Sequence, residues 1–185
     1  MNHHSPKGHI VERDTTSGNS NVLPVKGTNK AKAGTSIAAI NDGTTRYLIY
    51  QDSNEEQNGK DTEEVCSIIV RNIETLESNP AAITGSINVI DTTVVQIAAV
   101  YASSESGRYI FVYHTDKKGI VYRSQSSVVA GQALKFTKTE PLEPTLVIEK
   151  FANLSVLASD GKNIIYTAKS DSDTPEITYI EDEWN

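Results

Sequence analysis

Four histidines, a cluster of carboxylates, eight tyrosines, one cysteine and one tryptophan are the side chains with chemistry to offer in this 185-residue chain. His3, His4 and His9 crowd the N-terminus, where their spacing suits weak transition-metal ligation or a solvated tail. His114 stands alone in a strand-like run and reads as a packed or edge residue. A serine–histidine–acid relay is not expected, because three of the four histidines lie in a polar arm with no site to act in. The loop from Glu55 to Glu64 carries five carboxylates. Calcium takes about six to eight oxygens, but the spacing of a helix–loop–helix calcium loop is absent, so a solvated hairpin loop is the expectation. No phosphate loop, zinc spacing or dinucleotide fingerprint occurs. The residues imply no catalysis, no metal and no cofactor.

Tyr47, Tyr50, Tyr101, Tyr109, Tyr113, Tyr122, Tyr166 and Tyr179 all fall in strand-like runs. Aromatic rings in such places stack on a sugar or pack across strands. Cys66, also in a strand-like run, reads as a small buried hydrophobe. Trp184 closes the acidic stretch Glu181-Asp-Glu183; it is either part of a surface tail or an anchor for a partner's pocket.

The formal net charge of −7 disfavours a phosphate-binding surface, so no nucleic acid is expected as a partner. With one cysteine, an intrachain disulfide is impossible. Residues 1–9 contain no apolar core of a secretory signal, and no run of 18 apolar residues follows. No membrane insertion is expected, and a cytoplasmic location is the simplest one, with secretion by another route left open.

What positions these side chains is a succession of short β-rich runs. Residues 1–20 are polar and read as an arm without a core of its own, disordered or ordered only against a partner. From residue 21 onward, runs rich in Val, Ile, Tyr and Thr alternate with turn clusters such as Asn41-Asp-Gly, Lys117-Lys-Gly and Ser159-Asp-Gly. No window shows a helical period, so an all-β fold is expected. The runs include Asn21–Val25, Ser36–Ile40, Arg46–Gln51, Val65–Arg71, Val95–Tyr101, Tyr109–His114, Leu134–Thr139, Asn163–Ala168 and Glu176–Ile180.

Stacked on one another, the runs show an internal repeat. Ser36-Ile-Ala-Ala-Ile followed by Tyr47-Leu-Ile-Tyr-Gln-Asp matches Gln96-Ile-Ala-Ala-Val followed by Ile110-Phe-Val-Tyr-His-Thr. Both match Asn153-Leu-Ser-Val-Leu followed by Asn163-Ile-Ile-Tyr-Thr-Ala. Ile37 and Ile97 are 60 residues apart, Ile97 and Leu154 57. Three diverged copies of a four-stranded unit are expected, over 35–91, 92–145 and 146–185 of a domain spanning 21–185. The first strand of each copy, apolar on both faces, is expected to be buried on both. The third copy lacks a fourth strand, and Asn21–Val25, within 21–27, is free to supply it to its own subunit or to a neighbour.

The motifs Ser36-Ile-Ala-Ala-Ile with Tyr50-Gln51-Asp52, and Gln96-Ile-Ala-Ala-Val with Val112-Tyr113, Asp116 and Lys118-Gly119-Ile120, resemble the blade motif of the fungal fucose-specific lectins. The resemblance covers residues 35–180. It implies a β-propeller that binds a glycan between blades, without metal or catalysis. It also implies a pocket with an Arg from the second strand, a Glu from the third and an aromatic wall. Here the Arg position falls on Tyr47, Phe111 and Ile164, with Arg46 and Arg108 nearby but out of register. The Glu position of the second copy falls on Tyr122, and Glu64 and Glu176 lie near it in the other two. Arg46, Tyr47, Arg108, Tyr122 and Trp184 are therefore the candidate ligand contacts.

Propellers close with about four to eight blades, so three β-propeller-like blades leave apolar faces and strand edges open. A homo-oligomer is the expected consequence, either a closed two-fold pair or an open lattice. Leu23, Pro24, Val25 and Trp184 are the candidate oligomer contacts. Two functions are consistent with these features: a lectin-like binding protein, possible partner a glycan, or a self-assembling structural protein that reuses the lectin fold without its sugar.

Overall fold

The computed structural model describes residues 2–4, 10–13, 15–22, 31–52, 66–75, 85–89, 95–137, 139–148, 153–168 and 177–184. Among them the fold is all-β, with a 3-10 turn at Ile73–Thr75 and no α-helix. Contacts divide the chain into two compact units, 1–94 and 95–185. No described helix is long and apolar enough to cross a membrane.

Unit 1 holds two sheets. Strands β1 (Asn2–His4), β2 (Ile10–Arg13) and β3 (Ser20–Val22) form one in that order. Strands β4 (Ile37–Asn41), β5 (Arg46–Gln51), β6 (Cys66–Asn72) and β7 (Gly85–Val89) form the other, again in chain order. Unit 2 repeats the arrangement. Strands β8 (Ile97–Ser104), β9 (Gly107–Thr115), β10 (Val121–Ser127) and β11 (Glu140–Pro141) make a four-stranded sheet. Strands β12 (Asn153–Ser159), β13 (Lys162–Ala168) and β14 (Ile177–Glu183) make a three-stranded one. Neighbouring strands run antiparallel throughout, so each sheet is a meander built from consecutive hairpins.

The hairpins follow from turn chemistry. In the β4–β5 turn the Asp42 carboxylate accepts from the Thr44 and Thr45 amides at 2.8 and 2.7 Å and from the Thr44 hydroxyl at 2.7 Å. Burial works against ionisation of Asp42, but these bonds outweigh it and hold its carboxyl below the ordinary value. The β12–β13 turn places Asp160 and Gly161 at φ +30° and +80°, the two positive angles that a two-residue hairpin matching strand twist requires. In the β9–β10 turn the Asp116 carboxylate accepts from the amides of Lys118 and Ile120 at 2.8 and 2.9 Å.

Among the described residues three of the four sheets hold the repeated runs as antiparallel strands in chain order, and Arg46–Gln51 forms a strand with the expected bounds. Four expectations fail. Residues 1–20 are not a coreless arm, since β1 and β2 lie there and Ile10 is fully buried against Leu48, Tyr50 and Ile69. One isoleucine suffices because strand pairing, which composition does not reveal, brings it there. Residues 20–22 pair with β2 rather than completing the third copy, and Leu23, Pro24 and Val25 lie outside the described residues. Residues 134–137 form no strand; the fourth strand of the second copy is the two-residue β11. Finally, the first strand is not the one buried on both faces. β4 is half-exposed to exposed, whereas Tyr47–Gln51 in β5 and Ile110–Thr115 in β9 are buried without interruption. A second strand has neighbours at both edges as well as cover on its faces.

A segment from Leu142 to Ile148 runs beside β10. The Leu142 amide donates to the Val121 carbonyl, the Val121 amide to the Leu146 carbonyl, and the Ile148 amide to the Gly119 carbonyl at 2.9 Å. Gly119 has φ +80°, and a Cβ added there would stand 2.1 Å from the Ile148 carbonyl oxygen. Gly119→Ala should therefore destabilise the protein by roughly 2–3 kcal/mol through strain and the backbone clash. Gly43 also has a positive φ, but a Cβ there meets nothing within 4 Å, so Gly43→Ala should cost less. Urea denaturation of the two variants measures the difference.

Candidate functional site

Within unit 2 the two sheets pack through one face each. Phe111, Tyr113 and Val121 of the four-stranded sheet meet Leu154, Val156, Ile165 and Ile180 of the three-stranded one. Complete burial of Ile165 contributes about 2–3 kcal/mol. At one end of this contact the apolar residues give way to a polar relay. Asn163 on β13 donates to the Tyr113 hydroxyl at 2.7 Å, and Tyr113 donates to Asp182 on β14 at 2.5 Å. The other Asp182 oxygen accepts from Arg123 Nη1 on β10 at 2.7 Å. Burial, followed by the Asp182 charge and the bond to it, keeps the Tyr113 phenol protonated well above its ordinary range. The Arg123–Asp182 pair is largely buried, with side chains 25% and 11% exposed, so it is screened less than a surface pair.

These bonded side chains border a cavity of about 350 Å³, lined by Arg123, Glu140, Leu142, Glu143, Asp182 and Glu183 together with Pro141 and Glu181. β11 and the segment after it carry one wall, and β14 carries the other. The lining is rich in carboxylates, which accept hydrogen bonds, with Arg123 as the cationic donor. Among the described residues no group of three His, Cys, Asp or Glu is placed to hold a metal ion.

The candidate residues read from the sequence do not gather there. Arg46, on β5, makes a two-pronged pair with Glu74 at 2.8 and 3.3 Å, and both side chains are about half exposed. The Arg46 hydrogen bond outweighs the opposing burial effect and, with the Arg46 charge, lowers the Glu74 carboxyl below its ordinary value. Tyr47 is buried, with its hydroxyl 3.4 Å from Asp42. Arg108 is exposed at the start of β9, across from Ser103. Trp184 packs its ring on Phe111 and Tyr109, at centroid distances of 5.4 and 5.9 Å, so that surface of the ring is used within its own chain. Tyr122 stacks on His114, its direct cross-strand neighbour, at 5.8 Å and 13°. By strand alternation that pair lies on the opposite face of the sheet from Arg123 and Tyr113. The useful arginine is thus one residue beyond Tyr122, and one residue reverses the face. Glu64, Glu176, His9 and the acidic loop lie outside the described residues.

Arg123, Asp182 and Asn163 were not singled out from the sequence. A signal exists for the arginine: Arg71 and Arg123 both interrupt third strands, Arg71 bonding the tyrosine of the neighbouring second strand directly and Arg123 reaching it only through Asp182. In unit 1, Arg71 is fully buried and donates through Nε to the Tyr50 hydroxyl at 2.6 Å. Burial pushes the Tyr50 phenol up to about 12, with Arg71 opposing the rise and the Asp52 charge adding to it.

No protein-family model matches the chain, and no characterised protein and no solved structure matches it significantly.

The relay and the buried histidine each lead to a measurable consequence. Tyr113→Phe and Asp182→Asn should each cost about 1–3 kcal/mol of stability, and the double variant should cost less than their sum by ~1 kcal/mol, as read from a denaturation cycle. His114 is 3% exposed, and neither ring nitrogen has a hydrogen-bond partner among the described residues. Burial pushes it down to about 4, with the Thr115 backbone and the Asp116 carboxylate working the other way. Below the ordinary value near 6.5 the unfolded chain takes up a proton that the native chain refuses. Stability should therefore fall by roughly 2–3 kcal/mol between pH 6.5 and 4, and His114→Phe should flatten that part of the profile.

Proposed function

We propose that this protein is a non-enzymatic, lectin-like binding protein whose unit 2 cavity takes a glycan. The observation that carries this reading is a cavity of about 350 Å³ lined by several hydrogen-bond-accepting carboxylates and one arginine donor. Its volume lies at the small end of ligand sites, as a single sugar residue requires. Carboxylates accept from sugar hydroxyls, and a guanidinium donates in a fixed plane, so the pair fixes orientation. Tyr113 and Asn163 position Asp182, and Asp182 positions Arg123, before any ligand arrives. The antiparallel four-stranded meanders suit the blades of a propeller, and the resemblance of their motifs to fungal fucose-specific lectins points to fucose as the first sugar to try. The arginine positions of that resemblance are vacated at Tyr47, Phe111 and Ile164, and Arg123 is the arginine that lines the proposed site instead.

A second reading, self-assembly without sugar binding, is favoured by one observation. Leu157, Ile177 and Tyr179 are 55%, 66% and 62% exposed on the third copy of the repeat.

Calorimetric titration with fucose, galactose, mannose and N-acetylglucosamine tests the first reading. One of them should bind with a millimolar dissociation constant. Arg123→Ala and Glu143→Gln should each weaken it by about 10-fold or more, the value of a charged hydrogen bond. No heat with any of the four sugars, or binding that both variants leave unchanged, overturns the proposal.

A further inference from the structure

The cavity beside Arg123 is lopsided in charge. Five carboxylates line it, on Glu140, Glu143, Glu181, Asp182 and Glu183, against the single guanidinium of Arg123. The lining therefore carries a formal charge of −4, more than half of the −7 of the whole chain. Its cations are already engaged: Arg123 pairs with Asp182 at 2.7 Å, and Lys162, from outside the lining, pairs with Glu181 at 2.8 Å. With Lys162 counted too, five carboxylates face two cations, an excess of three negative charges. Donors are short as well. Strand register sets Asn163 directly across from Asp182, so the two side chains share a face. Asn163 is fully buried and gives its amide to the Tyr113 hydroxyl, yet its Oδ1 has no hydrogen-bond partner among the described residues. The complement to such a lining is a group that brings hydrogen-bond donors and positive charge together.

We infer, resting on the glycan reading of this cavity, that its ligand is an amino sugar: a hexosamine with a free amine, whose ammonium is held by the excess carboxylates while its hydroxyls meet the rest of the lining. An ammonium carries three donors and no acceptor, and an ionised carboxylate only accepts, so the two match without remainder. A neutral sugar supplies donors but leaves the mutual repulsion of the carboxylates in place while displacing water that screens it. A hexosamine supplies the donors and offsets the repulsion. A metal ion would also offset it, but among the described residues no three of these carboxylates converge as a metal ion requires. An acidic sugar brings another carboxylate into the same field and is rejected by like charge.

Calorimetric titration of the full chain compares each hexosamine with a neutral counterpart: galactosamine with galactose, mannosamine with mannose, and glucosamine with N-acetylglucosamine. At about pH 6.5 an amine of this kind is protonated. At least one hexosamine should then bind about 10-fold or more tightly than its counterpart, because charged hydrogen bonds are roughly twice as strong as neutral ones. Raising the ionic strength from about 0.05 to about 0.5 M should shrink that ratio, since salt screens charge. Glucuronic acid should give no heat. Glu183→Gln and Glu140→Gln, which keep an acceptor and remove a charge, should each lower the ratio by about 3-fold or more. Glu105→Gln, at an exposed carboxylate of the β8–β9 turn outside the lining, should leave it unchanged.

Neutral sugars that bind as tightly as their hexosamines, or a ratio that neither salt nor the two glutamate variants reduce, overturn the amino-sugar assignment and leave the glycan reading standing. Ethanolamine, an amine without a sugar ring, separates the other case. It should bind about 10-fold or more weakly than the preferred hexosamine. Equal binding would make the cavity a site for simple cations, and the glycan reading would fall together with the assignment. No heat from any sugar, neutral or amino, overturns both.

Discussion

The hydroxyl of Tyr113 sits where the two sheets of unit 2 meet, and it must be satisfied there because the side chain is fully buried. A buried hydroxyl left without partners costs about 1–3 kcal/mol. Asn163 and Asp182 provide those partners, one from the middle strand of the facing sheet and one from its edge. The requirement acts on register as much as on energy. A slip of one residue in β14 would turn Asp182 to the other face, orphaning both Tyr113 and the guanidinium of Arg123. An inward-pointing carboxylate on an edge strand would be costly by itself. Here it carries two donors, and it also blunts that edge against pairing with other chains.

The cavity is a consequence of this bond. Because Asp182 is drawn inward, Glu181 and Glu183 on either side of it alternate outward and line the rim. The opposite wall combines Glu140 on β11, paired beside Arg123, with Glu143 of the Leu142–Ile148 segment, which Gly119 lets lie against β10. Two local features, a phenol that needs partners and a glycine that allows close approach, thus arrange carboxylates that are distant in the chain.

The same tyrosine position receives three solutions in one chain. Tyr50 takes a buried arginine directly, Tyr113 takes a carboxylate that in turn takes an arginine, and Tyr166 stacks against another ring. Where a charge partners the tyrosine, a second sheet covers the face. Where an aromatic partners it, the face is open and apolar. Divergence among the copies is therefore a division of labour between core, polar cavity and exposed surface.

Strand identity was legible in the residues because it rests on local alternation and turn chemistry, as in Arg46–Gln51 and the Ser159-Asp-Gly turn. The site was not, because its bonds join residues 50, 59 and 69 positions apart, and no local pattern encodes which strand a side chain will meet. The expectation at Tyr122 missed Arg123 by a single residue, which in a strand is the difference between two faces. Ile10 escaped for a related reason: its burial depends on β1 and β3 closing around it and on Leu48, Tyr50 and Ile69 beneath it. The sequence by itself determined an all-β chain of repeated hairpins. Only the tertiary structure decided which faces are covered, which tyrosine is paired with which charge and where a ligand-sized cavity opens, because burial and pairing belong to surfaces that exist only after distant strands have met.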